Sequence, residues 1–154
     1  MTGIIEALGR YRMVADARQE DCISFIVGKA AQQVARRARE KLEPHDVTPT
    51  QYAVLKVLSD ADGQTGAELG ARLGIDSATT TGVADRLAAN GLLERRPDPQ
   101  DRRLQRLFLT PEARALQPIL DHEMDQLNRE VEGELDADAP RLRSRLRQLG
   151  ARKA

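Results

Sequence analysis

Two short helices joined by a very tight turn are the feature that most constrains how this chain can fold. Thr65 is followed three residues later by Glu68, a pair that forms a capping box at the start of a helix. The helix that follows, GAELGARL, ends at Gly74, since glycine accepts the left-handed geometry of a helix stop. Asp76 or Ser77 then caps a second helix. Helices connected this closely are predicted to form a helix-turn-helix.

The second helix has an apolar face and a small polar face. Thr80, Val83 and Leu87 recur with helical spacing and are predicted to pack inward. The first helix is predicted to offer three side chains to the core: Ala67, Leu69 and Leu73. The outer face of the second helix carries Ser77, Ala78, Thr81, Gly82 and Asp85. Side chains this small can enter a DNA major groove, where hydroxyls bond base edges and methyl groups contact thymine methyls.

An arginine-rich hairpin is predicted directly after the second helix. Residues 92–96 and 104–109 have the character of strands, and residues 97–101 form a turn of Pro, Asp and Gln. Five basic side chains lie in this segment: Arg95, Arg96, Arg102, Arg103 and Arg106. Arg103 is predicted to enter a minor groove, with Asp101 holding it extended. A solvated hairpin without a partner is the alternative, and the preceding helix-turn-helix argues against it.

These motifs in this order resemble the winged helix-turn-helix of the MarR family of transcriptional regulators. The family has a wing motif of Asp-x-Arg, five further residues and Leu-Thr-x-x-Gly. Here residues 101–113 read DRRLQRLFLTPEA, with alanine in place of the final glycine. Residues 48–58 and 91–95 match the helix before the helix-turn-helix and the start of the wing. Several matched motifs together make the resemblance specific.

The resemblance implies a fold that is mainly α with a small β-hairpin wing. A single protomer, residues 1–154, would contain a winged helix-turn-helix at 48–110 and dimerisation helices at 12–43 and 111–150. The implied function is a sequence-specific DNA-binding repressor, released by a small aromatic or phenolic ligand, and not an enzyme. The expected DNA contacts are Ser77, Ala78, Thr79, Thr81, Gly82, Arg86, Arg95, Arg96, Asp101, Arg102 and Arg103.

Helices on both sides of the winged unit carry apolar stripes too extensive for that unit to bury. Residues 21–42, 111–135 and 140–149 repeat apolar side chains at helical spacing. A second copy of the chain would bury them, and a symmetric dimer reads a palindromic operator. A monomeric helical bundle is the alternative. The acids of residues 121–138 and the arginines that follow are expected to pair with one another rather than with DNA.

The sequence identifies the residues that would sense a signal less specifically than those that would bind DNA. An effector pocket is expected where the long helix of residues 21–42, the loop at His45, Tyr52 and the start of the wing meet. Cys22 is the candidate for an oxidant switch, although a lone cysteine near Ile23 is more typical of an inert packed thiol. The two histidines lack the spacing of a metal site, so neither a metal nor a cofactor is expected.

Composition narrows the class of protein. The chain has 24 basic and 24 acidic residues, so a positive surface has to be local. One cysteine excludes an internal disulfide and fits a reducing cytoplasm, and no apolar run is long enough for a membrane helix. The absence of a phosphate loop or a nucleophile-and-base pattern argues against an enzyme. A winged-helix protein-interaction module that does not bind DNA is the alternative, and the basic wing argues against it.

Overall fold

The computed structural model describes residues 21–151, which form six α-helices and a small antiparallel sheet. The helices are α1 (Ile23–Leu42), α2 (Pro49–Asp60), α3 (Gly66–Leu73), α4 (Ser77–Ala89), α5 (Pro111–Leu135) and α6 (Ala139–Ala151). The strands are β1 (Gln64–Thr65), β2 (Leu93–Pro97) and β3 (Gln105–Leu109). Single 3-10 turns at Glu43–His45 and Asp136–Asp138 connect α1 to α2 and α5 to α6. The predicted fold class, mainly α with a small hairpin wing, is confirmed.

The helix-turn-helix begins and ends where its caps predict. Thr65 and Glu68 form the expected capping box at the start of α3. Gly74 ends α3 with φ at 66°, in the left-handed region. Asp76, rather than Ser77, caps α4, because its carboxylate accepts the backbone N–H of Thr79 at 2.7 Å. These caps satisfy backbone groups that the ends of the two helices leave without a partner.

The packing of α3 against α4 depends on a glycine that the sequence analysis did not single out. Leu69 is buried and Leu73 half-buried as predicted, but Ala67 is exposed, because it lies about 200° round the helix from Leu69. Gly70 is buried in its place. A Cβ atom there would lie 3.0 Å from the Ile75 carbonyl oxygen and 3.1 Å from a side-chain oxygen of α4. A side chain at this position would therefore force the turn or α4 to shift by a few tenths of an ångström.

The sheet has the strand order β1–β3–β2, with both pairs antiparallel. In the hairpin, Leu93 pairs with Leu109 and Pro97 pairs with Gln105. β1 was not predicted, since two residues are too short to show a strand pattern. Its Gln64 pairs with Leu107 and donates its side-chain amide to the Ala61 carbonyl at 2.6 Å. β1 joins the hairpin to the start of α3.

One aliphatic core fixes the winged unit and the first turns of α5 together. Its fully buried members include Leu55 of α2, Leu69 of α3, Leu87 of α4 and Leu120 of α5. The hairpin adds Leu93, Leu107 and Leu109. Burying each of these leucines contributes about 1.5 to 3 kcal/mol. This core therefore holds α4 and the hairpin in one arrangement.

Two units can be distinguished along the chain, residues 1–37 and residues 38–154. The described part of the first unit has five large apolar side chains that are exposed on α1: Ile23, Phe25, Ile26, Val27 and Val34. The second unit has four on its C-terminal helices: Ile119, Leu142, Leu146 and Leu149. Residues 12–20 of the predicted dimerisation segment lie outside the described residues. Among the helices of residues 21–151, none has the length and apolar content needed to span a membrane.

Candidate nucleic-acid interface

The second helix of the helix-turn-helix, α4, has the predicted division between its faces. Thr80, Val83 and Leu87 are buried, and the Thr80 hydroxyl donates to the Asp76 carbonyl at 2.9 Å. Ala84 is buried beside them. The predicted contact residues of α4 lie on the other side, with Gly82 half-exposed and the rest exposed: Ser77, Ala78, Thr79, Thr81 and Arg86. The exposed face is small and polar, as a major-groove surface requires.

Thr79 has a role within the helix that its sequence position did not reveal. Its backbone N–H and its hydroxyl both donate to the Asp76 carboxylate, each at 2.7 Å. These two hydrogen bonds lower the pKa of Asp76, which is therefore ionised at neutral pH. The hydroxyl proton of Thr79 is thus used within the helix cap. Towards a DNA base, the hydroxyl oxygen can act only as an acceptor.

Two arginines of β2 that were predicted to contact DNA have partners within the chain. Arg95 donates to the carboxylate of Asp85 on α4 at 2.6 Å. Arg96 donates to Glu94 at 2.8 Å and lies over the ring of Phe108, 4.6 Å from its centroid. The first contact directs Arg95 towards α4, whereas the contacts of Arg96 lie within the hairpin. The Asp85–Arg95 pair also reduces the negative charge that Asp85 would otherwise present beside α4.

The wing tip carries Arg102 and Arg103, which are both exposed. Asp101 accepts the backbone N–H of Arg103 at 3.0 Å. The recorded contact between Asp101 and Arg103 thus fixes the backbone of the tip, whereas the prediction had the carboxylate holding the arginine side chain. The tip therefore has two exposed arginines on a turn whose backbone is held by hydrogen bonds to Asp98 and Asp101.

Tyr52, a predicted effector residue, is bound to α5. Its hydroxyl donates to Asp121 at 2.9 Å, and the same carboxylate accepts from Lys56 at 2.8 Å and Gln117 at 2.9 Å. Burial of Asp121 acts to raise its pKa, but the hydrogen bonds from Lys56, Gln117 and Tyr52 outweigh it and lower the pKa. Burial and the bond to Asp121 raise the pKa of Tyr52. Tyr52 therefore has a structural role between α2 and α5.

His45 lies half-buried in the 3-10 turn between α1 and α2. An open cleft borders this turn, although neither His45 nor Tyr52 lines it. The lining residues of the cleft are Arg39, Glu43, Asp46, Val47, Thr48, Gln51, Arg86 and Asn90. The lining thus contains two arginines and two acids, so its formal charge is balanced.

Cys22, the predicted redox candidate, is exposed in the single chain. Its sulfur lies 3.1 Å from the Ser24 hydroxyl oxygen. That hydrogen bond, together with the backbone N–H groups of Phe25 and Ser24, lowers the pKa of the thiol. The expected packing of this thiol is therefore not met within one chain. Residues 21–151 contain no group of three or more His, Cys, Asp or Glu side chains placed to hold a metal ion.

Comparison with known proteins gives matches centred on the winged unit. The family model described as "MarR family" matches residues 47–104. The HTH-type transcriptional regulator TtmR of Methylorubrum extorquens is 38% identical over 99 residues, which is 64% of this chain and 51% of that protein. The chain thus spans about half the length of this relative. The relative's description as a transcriptional regulator agrees with the prediction that the chain is not an enzyme.

Solved structures match over most of the described chain. A probable transcriptional regulator from Pseudomonas aeruginosa is 31% identical, with a TM-score of 0.80, and the match covers 84% of this chain and 98% of that one. BpsR of Bordetella bronchiseptica is 26% identical, also with a TM-score of 0.80, over 86% of this chain and 95% of its own. The BpsR structure concerns regulation of DNA binding by 6-hydroxynicotinic acid.

Proposed function

Since the chain belongs to the MarR family of transcriptional regulators, we propose that it binds a specific DNA operator through α4 and the wing. The observation that carries the proposal is the exposed, small polar face of α4, joined through Asp85 and Arg95 to a hairpin whose tip has two exposed arginines. α4 would lie in the major groove, and Arg103 would enter the adjacent minor groove. Residues 48–110 would form the DNA-binding unit.

The proposed active form is a homodimer on a palindromic operator. Exposed apolar side chains lie on α1, on α5 and on α6. Exposed apolar surface of this kind is typical of a protein–protein interface, and here the proposed partner is a second copy of the chain. Residues 12–43 and 111–150 would provide this interface. Two copies of α4 related by a twofold axis would read half-sites about 34 to 36 Å apart.

Operator binding should weaken steeply as salt is added, because arginine contacts to phosphates release bound counterions. We expect the logarithm of the association constant to fall linearly with the logarithm of salt concentration, by about 0.9 for each phosphate contacted. Mobility-shift titrations with operator and with random duplex, at several salt concentrations, measure this slope. An intact dimer that binds neither duplex at low salt would favour the protein-interaction module instead.

The proposed mode of control is release of a repressor by a small aromatic or phenolic ligand. The cleft that borders the turn at His45 supports this, since Arg39 and Arg86 could hold a carboxylate there in competition with the acids Glu43 and Asp46. The cleft also joins α4 to the loop between α1 and α2, so a ligand there could change the position of the recognition helix. BpsR, with its link to 6-hydroxynicotinic acid, is a relative of the same fold. Coupling of about 1 to 3 kcal/mol between ligand and DNA is typical.

Oxidation of Cys22 is the second candidate for control, favoured by its exposure and its lowered thiol pKa. Cys22→Ser separates the two. Ligand control predicts that this variant binds operator as wild type does and ignores peroxide as wild type does. Fluorescence anisotropy on labelled operator, with and without peroxide, gives the readout. If peroxide released the wild-type protein from the operator but did not release Cys22→Ser, oxidant control would replace ligand control as the proposed mechanism.

A further inference from the structure

The guanidinium of Arg106 is turned back onto the protein. Arg106 lies on β3, and its Nε donates to a carboxylate oxygen of Asp98. Its Nη1 donates to the Gly63 carbonyl at 2.7 Å and lies 4.0 Å from the Glu68 carboxylate. Glu68 is the second member of the capping box at the start of α3, with Thr65 as the N-cap. Arg106 therefore joins the hairpin to the start of the helix-turn-helix.

Asp98 is a buried carboxylate that closes the turn at the end of β2. Its Oδ1 accepts the backbone N–H groups of Gln100 at 2.7 Å and Asp101 at 3.0 Å. Its own N–H donates to the Leu104 carbonyl at 2.9 Å. Only 4% of Asp98 is exposed, so its second oxygen needs a partner inside the protein, and Arg106 is that partner.

We propose that Asp98 and Arg106 form a brace that fixes the direction of the wing tip relative to α4. Arg106 is then a positioning residue that acts through Arg103, although composition alone would count it among the DNA-binding arginines. The inference rests on the proposed function, because it concerns how the wing meets the minor groove. The chain of contacts runs from the tip turn through Asp98 and Arg106 to Gly63 and the start of α3.

The ionisation of Asp98 supports the brace at neutral pH. The N–H groups of Gln100 and Asp101, followed by Arg106, lower the pKa of this carboxyl. A carboxyl with a lowered pKa in the folded state stabilises that state above its unfolded pKa of about 4, and the contribution is lost as the pH falls below that value. Asp98 is therefore fully charged under conditions in which DNA binding is measured.

The rival interpretation gives Arg106 a direct phosphate contact. In that case Asp98 competes with DNA for the guanidinium, and removing its negative charge should tighten binding. The brace predicts the opposite sign, since the tip loses its fixed direction although the protein gains one unit of positive charge. The sign of a single substitution thus separates the two interpretations.

Asp98→Asn is the decisive variant, because Oδ1 can still accept the two turn N–H groups while the charge facing Arg106 is lost. The matched control is Glu94→Gln, which removes a carboxylate paired with an arginine on the same hairpin. We expect Asp98→Asn to weaken operator binding by about fivefold or more, the lower end of what an arginine contact contributes. Glu94→Gln should bind as tightly as wild type or more tightly. Both are measured by anisotropy at fixed salt, with thermal melting to check folding.

Arg106→Gln in the Arg103→Ala background provides the second measurement, and it stands if Asp98→Asn fails to fold. Groups that act through one another give non-additive effects, so Arg106→Gln should cost little once Arg103 is absent. The brace would be overturned if the losses of operator affinity caused by Arg103→Ala and Arg106→Gln were fully additive. It would also be overturned if Asp98→Asn bound operator as tightly as wild type does. A wild-type protein that binds no duplex would instead overturn the proposed function, and the brace with it.

Discussion

Arg103→Ala is expected to weaken operator binding by about 1 to 3 kcal/mol. Arg103 is exposed at the wing tip, where its backbone N–H donates to Asp101 at 3.0 Å. A narrow minor groove over A/T tracts has an enhanced negative potential that attracts arginine. Replacing the A/T pairs under the wing with G/C pairs should therefore cost wild type more than it costs Arg103→Ala.

The control for Arg103→Ala is Arg129→Ala, which removes the same charge from an exposed position on α5. Affinity for operator is measured by anisotropy at several salt concentrations, because a lost phosphate contact also reduces the salt slope by about one. The Arg129→Ala protein should bind as wild type does. Unchanged affinity in a folded, dimeric Arg103→Ala protein would remove Arg103 from the interface.

Deleting residues 136–154 is expected to give a monomer without specific DNA binding. The deletion removes α6 and its exposed apolar side chains Leu142, Leu146 and Leu149. Each leucine buried between two chains contributes about 1.5 to 3 kcal/mol, and a symmetric interface contains each of them twice. A monomer presents one recognition helix and so loses the second half-site. Sedimentation velocity at micromolar concentration measures the assembly state, and anisotropy measures the loss of operator binding.

Leu146→Glu tests the same interface with the chain intact. Leu146 is 45% exposed in the single chain, and Leu104 in the wing is 47% exposed, so Leu104→Glu is a control matched in both exposure and chemistry. Leu146→Glu should shift the protein towards monomer, whereas Leu104→Glu should remain a dimer. A wild-type chain that sediments as a monomer at micromolar concentration would contradict the proposed assembly.

The helix-turn-helix could be predicted from the sequence because its determinants are local. The two members of the capping box, Thr65 and Glu68, are three positions apart, and Gly74 and Asp76 act within their own turns. The inward face of α4 follows from helical periodicity alone. Interactions this short in sequence leave little choice of structure. The same reasoning predicted the hairpin strands to within a residue or two.

Contacts between distant residues could not be predicted in this way. Glycine fits position 70 without a shift of its neighbours, because Ile75 and α4 approach it closely from beyond the turn. Tyr52 bonds to Asp121, 69 residues later, a contact that its position in the sequence does not indicate. β1 exists because β3 pairs with it from about 40 residues away. Each feature requires knowing which elements pack together.

The five arginines of the wing separate the features that the sequence determines from those that the tertiary structure determines. By itself, the sequence determined that a hairpin with five arginines follows a helix-turn-helix, since turn residues and alternation are local signals. Only the tertiary structure decided how these arginines differ. Asp85, Glu94 and Asp98 bind three of them, and the two at the tip are exposed. The physical reason is that an arginine's partner is set by which carboxylate the fold brings within hydrogen-bonding distance, and no spacing along the chain encodes that distance.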